Sequence, residues 1–291
     1  MPKNPIIVTG KHKIRLADYD PSSTGPFKDK AGAKKKRKRW AKEIAEHQNA
    51  LFAQRSYAVL VILHGTDTSG KSSTVGYVFR DVHPAGFSVE SFKSPSSEEL
   101  EHDYLWRCMK RLPRRGHIMA FDRSYYEELS VVRVHPEFLE KQRIPRAVRP
   151  KDIWKARAKE IRHFERYLTQ NGIVVIKIYL NLSKKAQAER LFERLSEKKK
   201  HCKFSAGDIA ERKHRDLYRR ADEDLINRTA TPYAPWNILP ADNQWVTRAL
   251  AAKLVAERLC ALKPRYPEMS KEEHAENLAL YRKMLREETK K

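Results

Sequence analysis

The chain is short of cysteine, of long apolar runs and of acid. Its three cysteines, Cys108, Cys202 and Cys260, lie far apart in 291 residues. They form no metal spacing, and they fit a reducing cytoplasm as packed or surface thiols. No apolar stretch approaches the roughly 20 residues that cross a bilayer, so no membrane partner is expected. The stretch from Met1 to Ile6 lacks the apolar core of a secretion signal. No internal repeat is present. Acidic residues number 37 against 60 lysines and arginines, which leaves a net charge of +23. An excess of that size favours a polyanionic partner: nucleic acid, an anionic surface or a phosphate polymer. The block Lys34 to Arg39 alone reads as a solvated helix start or a non-specific arm. Basic residues also recur through the body, at Arg107, Lys110, Arg111, Arg114 and Arg115, and at Arg143, Arg146, Arg149, Lys151 and Lys155. Dispersed charge of this kind suits a groove that an extended anion follows. No interleaving of arginine with aromatics marks a base-stacking surface. No nucleic-acid recognition motif is present either, so nucleic acid is expected only as a non-specific ligand.

What the chain does have is a phosphate-binding loop. Residues Gly65 to Ser72 read Gly-Thr-Asp-Thr-Ser-Gly-Lys-Ser, a complete G-x-x-x-x-G-K-[ST]. The apolar run Tyr57 to Leu63 precedes it and an amphipathic segment from Thr74 to Arg80 follows. Backbone N–H groups of Gly65, Thr66, Asp67, Thr68, Ser69, Gly70, Ser72 and Ser73, at a helix N-terminus, are placed to surround a phosphate. Lys71 adds a mobile positive charge. The competing reading is a plain turn between a strand and a helix.

Periodicity predicts an extended arm over 1–33 and a helix over 34–54. Strands follow at Tyr57–Leu63, Phe87–Phe92, His117–Phe121, Ile173–Leu180 and Trp236–Leu239. Helices are expected over 98–112, 152–170, 184–228 and 244–262, with a helical tail over 263–291. Five strands alternating with helices imply a parallel α/β sheet covered on both faces. Right-handed crossovers put the strand C-terminal ends on one edge, where ligand belongs. The loop, Asp122-Arg123, Asn181 and Asp242 are expected to converge there.

Asp122 ends the third strand, where phosphate-loop proteins keep a carboxylate for Mg²⁺; its plainer role is a helix cap. Arg123 suits a phosphate through its two-pronged donor, or forms a surface ion pair. Asp67 stands inside the cradle, where it either approaches a metal, or accepts from an acceptor phosphate, or serves the turn. The densely basic segment Ser183 to Arg220 reads as a solvated helix pair or as a lid over phosphates. Within it Arg190 and Arg194 share one helical face.

These motifs resemble the polyphosphate kinase 2 family, notably its class III branch. The matching text is GTDTSGKSST (65–74), SFKSPSSEELEHDYLWR (91–107), FDRSYYEELSVVRVHPE (121–137) and PWNILPADNQW (235–245), with CKFSAGDIAERKHRDLY (202–218) less close. The resemblance spans residues 14–262. It implies a three-layer α/β/α P-loop kinase fold, with a 34–262 kinase domain and a helical lid over 183–220. It also implies Mg²⁺-dependent phosphoryl transfer between inorganic polyphosphate and ADP, GDP or AMP. Asp67 and Lys71 would be the catalytic pair and Asp67 and Asp122 the metal ligands. Arg123 would complete the second motif, Arg133 would be a further phosphate contact, and Arg190, Arg194, Lys203 and Arg212 would reach phosphate from the lid. Ser72 stands where the family often has Asp, tryptophans near Cys202 and Arg215 are missing, and Gln244 replaces a common lysine. A homodimer or tetramer is expected. Two other readings stay open: an ATP-dependent nucleotide kinase, which leaves the excess charge unexplained, and a nucleotide-switched nucleic-acid-binding protein.

Overall fold

The structure is a computed structural model that describes residues 6–289. Its sheet has six strands: β1 (Ile6–Val8), β2 (Ala58–His64), β3 (Phe87–Ser91), β4 (Ile118–Asp122), β5 (Ile173–Asn181) and β6 (Trp236–Pro240). They run in the order β1-β6-β5-β2-β4-β3. The five expected strands are all parallel. The sixth, β1, comes from the segment read as a free arm and pairs antiparallel with β6. Three residues are too short a run for alternation to be legible.

The helices are α1 (Lys30–Gln54), α2 (Lys71–Val78), α3 (Ser97–Leu100), α4 (Trp106–Met109), α5 (Val131–Val134), α6 (Glu137–Glu140), α7 (Ile153–Gln170), α8 (Lys184–Ser196), α9 (Ala206–Glu211), α10 (Arg215–Thr229), α11 (Gln244–Ala261) and α12 (Lys271–Glu288). Helix α1 starts earlier than its apolar pattern because Asp29 accepts from the Gly32 amide and caps it. The single helix expected over 98–112 is two short turns. Between them the Asp103 carboxylate accepts the Leu105 amide and breaks the run. The continuous helix expected over 184–228 is also broken, because Glu197 is extended (φ −98°, ψ 109°).

Alternation along β2 explains the layers. Val59, Val61 and Leu63 pack with α1, α2 and α11 on one face. Leu60 and Ile62 pack on the other with Ile161 and Leu168 of α7 and Leu225 and Ile226 of α10. All seven β2 residues are buried, as a parallel strand covered on both faces requires. No helix among the described residues is long and apolar enough to cross a membrane.

The N-terminal segment is laced down beyond β1. The Asn227 amide brackets Ile14 by accepting its N–H at 2.8 Å and donating to its carbonyl at 2.9 Å. The Leu16 N–H donates to Glu223 at 2.7 Å, and Asn181 donates to the Tyr19 carbonyl at 2.8 Å.

Lys177 interrupts the apolar run of β5 and is fully buried. Its ammonium donates to Glu165 (2.7 Å), Tyr126 Oη (3.0 Å) and the Thr229 carbonyl (2.9 Å). Glu165 in turn accepts from Tyr125 and Tyr126. Burial lowers the Lys177 pKa and Glu165 opposes that shift. This cluster bolts α7 and α10 to the centre of the sheet. Glu165→Ala strands a buried cation, so urea denaturation should show a loss of about 3–5 kcal/mol.

Candidate active site

Strand β2 ends at His64 and the chain turns at once. Gly65 has φ +144°, and a Cβ there would lie 2.9 Å from the Leu180 carbonyl, so only glycine lets the loop leave the strand here. Gly70, at φ +97°, starts α2. Of the five described non-glycine residues in the left-handed region, two lie here: Thr68 (φ 64°) and Arg123 (φ 69°). A β-branched residue in that region is strained, and strain of this kind gathers at working sites.

Lys71 folds back over the loop and donates to the carbonyls of Gly65 (2.7 Å) and Thr66 (3.3 Å). The buried hydroxyls of Thr66, Thr68 and Ser69 find no hydrogen-bond partner within the protein. Ser72 donates to Asp122, the last residue of β4, in a very short contact. Two hard oxygens therefore meet beside the start of α2. Asp122 does not cap the following turn; Ser124 does so, accepting the Tyr126 amide. Arg123 reaches across to Asp67 at 3.3 Å. Burial works to lower the Arg123 pKa, but Glu127, Asp67 and Asp122 outweigh it and the guanidinium is raised above its ordinary value. It is a permanent cation held among three carboxylates.

A cavity of about 590 Å³ opens over the loop. Gly65, Thr66, Asp67, Lys71 and Arg123 line it, with apolar Phe92, Val131 and Phe138 and with charged Lys93, Arg107, Glu127, Glu128 and Lys141. Arg212, Arg215 and Tyr218 close it from the segment after α8. The volume lies within the usual range for a small-ligand site. A strained loop, a lysine, a Ser–Asp oxygen pair and a guanidinium are thus gathered at one candidate site. The sequence profile Polyphosphate kinase 2 (PPK2) matches residues 27–266.

The chain belongs to the polyphosphate kinase 2 family. A relative from Rhodopseudomonas palustris, an ADP-polyphosphate phosphotransferase, is 38% identical over 244 residues, which is 84% of each chain. A Meiothermus ruber AMP/ADP-polyphosphate phosphotransferase is 36% identical over 257 residues, 88% of this chain and 92% of that one. The crystal structure of polyphosphate kinase 2 from Arthrobacter aurescens TC1 superimposes with a TM-score of 0.84 at 34% identity, covering 92% of this chain and 93% of the other.

In this polyphosphate kinase 2 family member the basic residues expected on the lid divide. Arg212 lines the cavity. Arg190 lies behind the loop and is only 8% exposed. It donates to the carbonyls of Thr68 (2.8 Å), Ser69 (3.2 Å), Ala241 (2.5 Å) and Asp242 (2.9 Å). It acts as a strap from α8 to the loop and to the end of β6. Arg194 pairs with Asp208 at 2.6 Å and donates to the Lys203 carbonyl, which holds α9 down. Lys203 is exposed. Arg133 pairs with Asp224 at 2.5 Å, tying α5 to α10. Ser73 accepts from Arg248 at 2.9 Å. Asn181 and Asp242, expected at the edge, hold Tyr19 and the Ser183 amide respectively.

Sequence reasoning missed His64, Glu127, Gln187, Arg215 and Tyr218 as cavity residues. Arg215 donates to Gln187 (2.9 Å) and to the Leu182 carbonyl (2.6 Å). It braces the cavity from beneath α8, and burial lowers its pKa. Tyr218 donates to Glu211 at 2.6 Å; burial, then that carboxylate, raises its pKa. Glu127 carried a signal through its place in the text that follows Asp122, and Arg215 and Tyr218 through theirs in the less closely matching text 202–218.

Arg190→Lys cannot keep four carbonyl bonds. It should cost about 1.5–3 kcal/mol and speed amide exchange within residues 68–70. Burial works to raise the Asp224 pKa, but hydrogen bonds from Arg228 and Arg133 outweigh it and hold the carboxyl below its ordinary value. A depressed native value stabilises fully above the unfolded pKa, and the effect is lost as pH falls through the native one. The stability gap between wild type and Asp224→Asn should therefore close as pH drops below about 4.

Proposed function

We propose that this chain moves the terminal phosphoryl group of inorganic polyphosphate to and from a nucleoside di- or monophosphate at the loop end of the cavity. The relatives named as ADP- and AMP/ADP-polyphosphate phosphotransferases support the substrate pair. The observation that carries the reading is a cavity over the loop that gathers Lys71, Asp67 and Arg123 together with the apolar side chains of Phe92, Val131 and Phe138. Phosphates belong beside the charged groups of the loop, and the apolar side chains suit a nucleoside. The charge excess of +23 fits a polymer longer than any single nucleotide. An ATP-dependent nucleotide kinase would need less.

The oxygens of Ser72 and Asp122 suit a hard cation. No group of three or more His, Cys, Asp or Glu among the described residues forms a metal cage. One or two protein oxygens, with phosphates and water filling the rest, is how Mg²⁺ is usually held. Ser72 and Asp122 would hold it, with Asp67 across the loop. When bound, Mg²⁺ neutralises phosphate charge. Asp67 orients the acceptor phosphate. Lys71 and Arg123 neutralise the charge of the transferring group, so the work is mainly positioning and electrostatics.

The test mixes purified protein with Mg²⁺, long-chain polyphosphate and ADP, GDP or AMP in turn, and resolves nucleotides by chromatography. New di- or triphosphate without a triphosphate donor is the expected result. Transfer from ATP to a monophosphate with polyphosphate inert would overturn it, as would salt-sensitive nucleic-acid retention without any transfer. Asp67→Asn and Asp122→Asn should abolish turnover. Lys71→Met should lower it by about 10²–10³.

A further inference from the structure

Glu211 ends α9 and turns back onto the body of the protein. Its Oε2 accepts two hydrogen bonds, from the Tyr218 hydroxyl at 2.6 Å and from His135 Nε2 at 3.0 Å. A carboxylate only accepts, so the ring nitrogen that meets Glu211 donates. Tyr218 stands on α10 and His135 directly follows α5. One carboxylate oxygen thus ties α9 to two other elements. The imidazole is itself held in place. Its Nδ1 lies 3.2 Å from Glu137 Oε1, and the rings of Phe138 and His214 stand 5.5 Å and 5.2 Å away. Asp208, also on α9, is held from α8, where Arg194 donates to it at 2.6 Å.

Arg212 is the next residue along the chain. Like His135, Glu211 and Tyr218, it lines the cavity. Its Nε is buried without a hydrogen-bond partner, and no described residue forms an ion pair with its guanidinium. Arg194, by contrast, spends its guanidinium on Asp208 and on the Lys203 carbonyl. A cavity-lining guanidinium without a protein partner is a two-pronged donor left for an anion, and such a donor works only where its backbone is placed. Beyond Glu211 the chain offers Arg212 little else to stand on. Arg212–His214 is a single 3-10 turn, and Lys213 is exposed.

We infer that His135 is a positioning residue for phosphoryl transfer: by holding Glu211, it sets where the adjoining Arg212 guanidinium meets phosphate. This rests on the polyphosphate transfer reading above. The rival explanation is that the contact only fastens α9 to the fold. The two differ in kinetics. If His135 acts through Arg212, its loss matters only while Arg212 is present. If it fastens the fold alone, its loss costs the same with or without Arg212.

The experiment is a kinetic double-mutant cycle on the full chain, with polyphosphate and ADP as substrates. His135→Leu removes both ring nitrogens and should lower kcat about tenfold. His135→Gln, whose amide N–H donates from the place of Nε2, should recover most of that loss. In an Arg212→Gln background His135→Leu should lower kcat less than about twofold, because coupled residues do not add. Urea denaturation shows whether each variant is folded. Glu211→Ala breaks the same contact from the α9 side and replaces His135→Leu if that variant does not fold; its effect should shrink in the Arg212→Gln background in the same way. Wild-type kcat in His135→Leu or in Arg212→Gln, no recovery in His135→Gln, or full additivity with Arg212→Gln overturns the inference. If the wild-type chain itself fails to use polyphosphate, the transfer reading falls instead. The same cycle, run on whatever phosphoryl transfer the chain does catalyse, then decides His135.

Discussion

The guanidinium of Arg190 holds the phosphate loop in its shape without meeting a single carboxylate. Its four bonds run to carbonyls from two separate stretches of chain. Loop carbonyls of Thr68 and Ser69 are turned to Arg190 and so away from an incoming anion, while of the loop's N–H groups that of Ser69 is used within the loop, on the Thr66 carbonyl. An anion site made of backbone depends on that division. Burial lowers the Arg190 pKa, while Asp242 and Glu193 act to support its charge from a distance. Removing the cation would free four carbonyls at once, which is why the loop and α8 stand or fall together.

The same logic recurs deeper in the fold. Lys177, Arg215 and His64 are all buried polar groups on or beside strands β2 and β5, and each spans two or more elements. None contributes to the apolar core that makes the sheet. Each fixes an angle or a register that apolar packing would leave loose. Buried polar clusters of this sort are costly when broken, so their gain is in geometry near the cavity rather than in stability. The strained φ angles of Thr68 and Arg123 persist for the same reason: their surroundings leave no alternative.

Much of this was legible in the chain, and the limits have physical causes. The loop was readable because its signal is local, a strand, a turn and a helix within about twenty residues. The five parallel strands were readable because burial on both faces makes them continuous apolar runs. The role of Arg190 was not, since its partners lie up to 122 residues away and a carbonyl leaves no mark in sequence. Lys177 looked like an interruption in a strand, because its partner Glu165 sits on another element. Breaks at Glu101–Leu105 and near Glu197 escaped because short apolar stretches on either side kept helical spacing. His135 and Glu211 stand 76 positions apart, and only folding makes them neighbours.

One detail of the N-terminal segment reaches further than its place in the chain suggests. Ile14 and Leu16 are bonded to Asn227 and Glu223 on α10, the helix that also carries Asp222 and Tyr218 toward the cavity. Helix α8 is pegged at Arg190. Helices α8 and α10 are thus each tied to the body like the two piers of a bridge, with the span at 197–214 between them. A cut in the first sixteen residues would loosen one pier, and the pocket would sag from a point some two hundred positions downstream.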